Sequence, residues 1–86
     1  TYDLHVQPHN CAGPVATAAS VQLDASITNF IIQEWFPYRD PLFFELVEEA
    51  FGPQPVDSEF TIPDTPGLGV TLNEEVIARY PCVHIA

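Results

Sequence analysis

The sequence contains no lysine and no methionine, and its two cations, Arg39 and Arg79, stand against twelve acidic residues. The formal net charge of −10 excludes nucleic-acid binding, which needs cations to displace counterions from phosphates. Docking on an anionic membrane surface is excluded for the same reason. Long apolar runs are missing too. Phe30-Ile31-Ile32 falls far short of the roughly 20 residues of a spanning helix. No basic start followed by an apolar stretch is present, so no secretory signal is read. Thr1 opens the chain without a Met, the expectation for a processed or truncated product. Cysteine is scarce. Cys11 and Cys82 make one disulfide formally possible, yet they lack a C-x-x-C spacing. Thiols in a reducing, cytoplasmic compartment are therefore expected.

What is present is apolar. Hydrophobic residues make up 47% of the chain, too many for a disordered segment, and 86 residues allow at most one small domain. Asp3-Leu4-His5-Val6-Gln7 alternates polar and apolar, which predicts a strand ended by Pro8. Pro14 suits the first position of a helix, where its missing N–H costs nothing. Residues 15–26 are Ala-rich, with Val15, Ala18, Ala19 and Leu23 roughly on one face. Thr28-Asn29 breaks that helix, and Phe30-Ile31-Ile32 suits a strand buried on both faces. Strand, helix and strand in this order predict a parallel pair.

The second half is punctuated by proline. Asp40 is expected to cap a short helix over 41–50, in which Phe43, Phe44, Leu46 and Val47 pack and Glu45, Glu48 and Glu49 face solvent. Residues 59–62 alternate like a strand, and 64–69 read as a turn rather than a phosphate-cradling loop. Asn73 is expected to cap a last helix over 74–80, whose leading glutamates suit the positive end of the helix dipole. One strand pair and two short helices leave apolar edges uncovered. That predicts part of a larger body, prone to self-association or homo-oligomer formation.

Few side chains offer chemistry. His9 and Glu34 follow the two expected strands, at the strand ends that face the ligand in parallel α/β folds. An imidazole and a carboxylate so placed are a general acid/base pair in outline. The alternative is a surface His and a surface Glu that never meet. His5 and His9, with Cys11, Cys82 and His84, offer the donor types of a zinc site. Strand rise puts the two rings roughly 13 Å apart, too far to share an ion. No metal ligands are assigned. His5 is expected to pack inside and His84 to be exposed.

Taken together, these segments resemble a known family. Gln7-Pro8-His9-Asn10-Cys11-Ala12-Gly13-Pro14, then Asn29-Phe30-Ile31-Ile32-Gln33-Glu34, is similar to the seventh-to-eighth strand region of galactonate-dehydratase-like enzymes. Those belong to the mandelate racemase group of the enolase superfamily. Pro66-Gly67-Leu68-Gly69-Val70 with Asn73-Glu74-Glu75 resembles that family's C-terminal segment. The likeness runs in order along nearly the whole chain and is weakest over 38–57.

The resemblance implies an α/β fold, with residues 1–36 as the last strand–helix–strand of a (β/α) TIM-type barrel. Residues 37–86 would be the C-terminal segment returning to the capping domain. It implies a lyase acting on a small-molecule sugar acid. Such a dehydratase removes the proton α to a carboxylate, forms a Mg²⁺-stabilised enediolate and eliminates the β-hydroxyl as water. His9 would then be the acid/base that protonates the departing hydroxyl. Glu34 would contact the substrate carboxylate and its enediolate, with Asn10 and Trp35 also contacting substrate. The family's Mg²⁺ carboxylates and the Asp partner of its His have no counterpart here. The chain alone is therefore expected to be inactive and to hold no metal. A racemase or epimerase of the same superfamily, or a small acidic interaction module, are the alternatives.

Overall fold

Pro14 sets the start of the longest element, the helix α1 over Pro14–Ser26. The computed structural model describes residues 2–36, 45–49 and 54–85. Gly13 precedes the helix in an extended conformation and caps it with no side chain. Instead its carbonyl accepts from the Thr17 N–H at 3.0 Å and from the Thr17 hydroxyl at 3.1 Å. The helix ends where the chain turns β-branched, with Ile27 already extended. The Ser26 hydroxyl donates to the Leu23 carbonyl at 2.7 Å, satisfying one of the orphan acceptors of the last turn.

The buried stripe of α1 is Pro14, Thr17, Ala18 and Val21, spaced as one face of a 3.6-residue helix. This corrects the expected face. Ala19 and Leu23 are exposed and Val15 is only half-buried. The helix is rotated so that a hydroxyl, Thr17, sits inside the stripe, because Thr17 has a buried polar partner described below.

The two segments flanking α1 meet in a parallel bridge, Val6 with Phe30. The Val6 N–H donates to the Asn29 carbonyl at 2.9 Å, and the Ile31 N–H donates to the Val6 carbonyl at 3.1 Å. The strand–helix–strand order is thus present, but the expected strands shrink to one rung each. The reasons are local. Pro8, at the next rung, has no N–H to give. On the other side, the Leu4 carbonyl accepts from the Asn29 side-chain amide at 2.8 Å, and Asp3 turns the backbone to φ +52°. Among the described residues no third strand joins this parallel pair, and a lone pair gains little from lengthening.

The expectation of a helix over 41–50 is tested only at 45–49, since Asp40, Phe43 and Phe44 lie outside the described residues. There the chain is not helical after a turn at Glu45 and Leu46. Val47 instead pairs antiparallel with Leu72, through Glu48 N–H to Thr71 carbonyl and Asn73 N–H to Leu46 carbonyl, both 2.8 Å. Pairing satisfies these backbone groups and buries Val47. The expected strand over 59–62 is likewise reduced to a bridge between Val56 and Glu59. Asp57 and Ser58 between them have φ of +50° and +66°, the two-residue turn that matches strand twist.

Asn73 caps the second helix, α2 over Glu74–Ile77, as its sequence predicts, but the helix stops short of the expected Tyr80. Its side-chain oxygen accepts from the Val76 N–H at 3.4 Å, and Glu74 and Glu75 stand in the first turn. Arg79 and Tyr80 tighten the end with bonds to the carbonyls three residues back, before Pro81. Upstream, Gly69 holds φ +78° in close contact with Pro63 and Thr65.

Among the described residues the buried hydrophobic side chains are Ala18, Val21, Val47 and Val76. Phe30, Ile31 and Ile32, expected to be buried on both faces, are instead exposed along with Leu4, because no described element packs over both sides of that segment. The accessible surface of 6648 Å² exceeds the roughly 5,000 Å² of a globular monomer of this mass. No helix among the described residues is long and apolar enough to cross a membrane.

Candidate active site

The parallel bridge brings the ends of its two segments together, and with them His9 and Glu34. His9 Nε2 lies 3.9 Å from Glu34 Oε2. That is a charge contact rather than a hydrogen bond, and with the imidazole 86% exposed it contributes little to stability. The carboxylate is held by something firmer. The Asn10 backbone N–H donates to Glu34 Oε2 at 2.7 Å.

Asn10 is itself fixed from below. It is 3% exposed, and its side-chain amide donates to the Thr17 hydroxyl at 2.9 Å, while its carbonyl oxygen accepts from the Ala12 N–H at 3.4 Å. The chain of bonds therefore runs from the Gly13 carbonyl through Thr17 and Asn10 to Glu34. The two buried polar side chains in this series, Asn10 and Thr17, are both paired, as the interior requires. The loop 9–13 is thereby tied to the first turn of α1.

His9, Glu34, Gln7, Pro8, Ile32 and Gln33 line a notch of about 380 Å³. A larger cavity, about 540 Å³, opens on another side against Val21, Phe30, Trp35 and Phe60. No imidazole or thiol lines the larger one, so the reactive groups belong to the notch despite its size. Trp35 packs edge-to-face on Phe60, with ring centroids 6.5 Å apart and planes at 80°. Consecutive residues of an extended segment point to opposite sides, which puts Trp35 in the apolar cavity and Glu34 in the notch.

Of the residues expected to form the site, the structure thus unites His9, Asn10 and Glu34 and sets Trp35 apart. Asn10 reaches the site through its backbone, its side chain being used up below. His5 is exposed rather than packed, because no described residue covers that side chain; His84 is exposed. Cys11 and Cys82 are both outside any disulfide. Sequence reasoning missed Thr17 and set Cys11 aside together with the zinc reading. Thr17 was legible as the one hydroxyl on the Ala-rich face of a helix. Cys11 was legible from its place two residues after His9; its sulfur lies with His9 and Glu34 donor atoms within 4.8 Å of one another.

The Mg²⁺ implied by the resemblance finds no fit here. Mg²⁺ takes oxygen ligands in a near-octahedral shell. Among the described residues, the grouping of possible metal donors offers one imidazole, one thiol and one carboxylate.

The described residues thus form a small helix-centred unit whose flanking segments, joined by one parallel bridge, bring an imidazole and a carboxylate together. Residues 1–76 match the Enolase C-terminal domain-like family, and the chain belongs to that family. It is 39% identical over 71 residues to the D-galactonate dehydratase family member RspA of Pantoea ananatis, covering 80% of this chain and 16% of that protein. It is 36% identical over 79 residues to a D-xylonate dehydratase of Haloferax volcanii, 92% of this chain and 19% of the relative. A D-gluconate/D-galactonate dehydratase of Picrophilus torridus is 35% identical over 72 residues, 83% of this chain and 18% of the relative. The chain spans less than a fifth of the length of these three relatives. No solved structure matches it with significance.

Proposed function

We propose that these residues are the C-terminal part of a sugar-acid dehydratase, in which residues 1–36 close a (β/α) barrel and residues 37–86 return to a capping domain. The single observation that carries this reading is the placement of His9 and Glu34, 3.9 Å apart, with the Asn10 N–H fixing the carboxylate. The family membership and the dehydratase relatives support it.

The reaction class is loss of water from a polyhydroxy acid: a proton leaves the carbon α to the carboxylate and the β-hydroxyl departs. This chain's share is the departure. An imidazolium at His9 can deliver its Nε2 proton to the leaving oxygen, since a neutral water is a far better leaving group than hydroxide. Imidazole suits the task because it gains and loses a proton near neutral pH. Glu34, held in register by Asn10, faces the same notch and can hydrogen-bond the substrate's carboxyl end when one of the two is protonated. Stabilisation of the enediolate by Mg²⁺ needs a shell of oxygen ligands, and the grouping of donors among the described residues supplies a single carboxylate toward it.

The test is an assay of water loss from D-galactonate, D-gluconate and D-xylonate in the presence of Mg²⁺. The 86 residues alone are expected to show no turnover, and the longer polypeptide that carries them is expected to dehydrate at least one acid. Turnover by the 86 residues alone would overturn the assignment of roles. Failure of the longer polypeptide on every sugar acid would overturn the function.

A further inference from the structure

Next to the notch stands one more group than the proposed chemistry uses. Cys11 sits beside His9 and Glu34, and one donor atom from each, an imidazole nitrogen, the thiol sulfur and a carboxylate oxygen, lie within 4.8 Å of one another. Ligands of a tetrahedral zinc ion, at bond lengths of roughly 2.0–2.3 Å, are about 3.5 Å apart. The cluster therefore needs a contraction of about 1 Å to close on an ion. The side chain that must move is the one free to do so, since His9 is 86% exposed. The carboxylate is already oriented by the Asn10 N–H at 2.7 Å, the kind of supporting bond that holds a metal ligand in place.

We propose that His9, Cys11 and Glu34 bind a single Zn²⁺, with solvent in the fourth position. The donor set decides the ion. A thiolate and an imidazole favour zinc over magnesium or calcium, which take oxygen. The thiol gives up its proton on coordination. Two donors come from one loop, His9-x-Cys11, and the third from across the parallel bridge, so the ion cross-links the two segments that flank α1. Zinc binding therefore stabilises the bridge between Val6 and Phe30 as well as the notch. The site stands on these three side chains whether or not the chain takes part in dehydration. Resting on the dehydratase reading, a second consequence follows: zinc occupies the acid/base and the carboxylate together and blocks the reaction.

The test uses the 86-residue chain titrated with Co²⁺ as a spectroscopic stand-in and then with Zn²⁺. The expected result is a thiolate-to-cobalt charge-transfer band that saturates at one equivalent and is displaced by zinc. Cys82→Ser should keep the band and Cys11→Ser should lose it. His9→Gln, at an exposed position that leaves the fold intact, should weaken zinc binding at least tenfold. Absence of the band at saturating Co²⁺ would overturn the proposal. So would a band lost in Cys82→Ser, which would place the ion on the C-terminal Cys82 and His84, or an affinity unchanged in His9→Gln. None of these readouts involves turnover, so failure of the zinc site and failure of the dehydratase reading are seen separately.

Discussion

The backbone N–H of Asn10 reaches across 24 residues to Glu34 Oε2 at 2.7 Å, joining the loop before α1 to the segment after it. This bond and the parallel bridge at Val6 and Phe30 make one unit of two distant stretches. The side chain of Asn10 does the anchoring. Replacing it by Ala removes the bond to Thr17 and leaves a buried hydroxyl with one partner fewer. Asn10→Ala should cost about 1–3 kcal/mol, read as a lower urea midpoint at unchanged slope. Thr17→Val should lower it as well, because it strands the Asn10 amide instead.

Gly69 and Gly67 offer a matched comparison. Both have positive φ, +78° and +68°, but a Cβ at Gly69 would lie 2.6 Å from Pro63 Cγ, whereas one at Gly67 would meet nothing within 4 Å. Gly67→Ala should cost about 1 kcal/mol from backbone strain alone. Gly69→Ala should cost about 2–4 kcal/mol, since the steric overlap adds to the same strain. Equal midpoints for the two variants would contradict the packing of the 63–69 loop.

The hairpin at Val56 and Glu59 turns through Asp57 and Ser58, both at positive φ. Asn-Gly tolerates that geometry better than Asp-Ser. Replacing both residues by Asn-Gly should raise stability by about 1 kcal/mol, measured by thermal or urea unfolding. No gain would argue against this turn.

Asp24 and Glu49 pull the pH dependence of stability in opposite directions. Burial raises the Asp24 carboxyl above its ordinary value, and its Oδ1 is buried without a hydrogen-bond partner. The folded state thus holds that proton more tightly than the unfolded chain. Its contribution is full at low pH and is lost as pH rises through the folded value. For Glu49 the Thr71 backbone N–H, donating at 2.7 Å, holds the carboxyl below its ordinary value. Its contribution is present at neutral pH and is lost as pH falls. Asp24→Asn should therefore stabilise the chain at pH 7, with the gain vanishing at pH values below the ordinary carboxylate range. Glu49→Gln should flatten the acid limb instead. Unfolding midpoints across pH separate the two.

Much of the site was legible because its residues sit at positions that chain order alone defines. Pro8, Pro14 and the polar pair Thr28-Asn29 mark where the segments end, and His9 and Glu34 follow from those ends. Strand length was not legible. It depends on a third strand to pair with, and on Asp3 and Asn29 diverting the backbone at one end of the ladder. The rotated face of α1 was missed for a related reason: Thr17 is buried by its bond to Asn10, which hydrophobicity does not reveal. Val47 read as helical from its apolar neighbours, and pairing with Leu72 overrode that local preference.

The most direct test of the account is the effect of His9→Gln on water loss from a sugar acid by the longer polypeptide that carries these residues. His9 is exposed, so the variant should fold and bind as before. If His9 delivers the proton to the departing hydroxyl, kcat should fall about 10²–10⁴-fold with little change in KM. A kcat left within a few-fold of the parent would contradict the role given to His9.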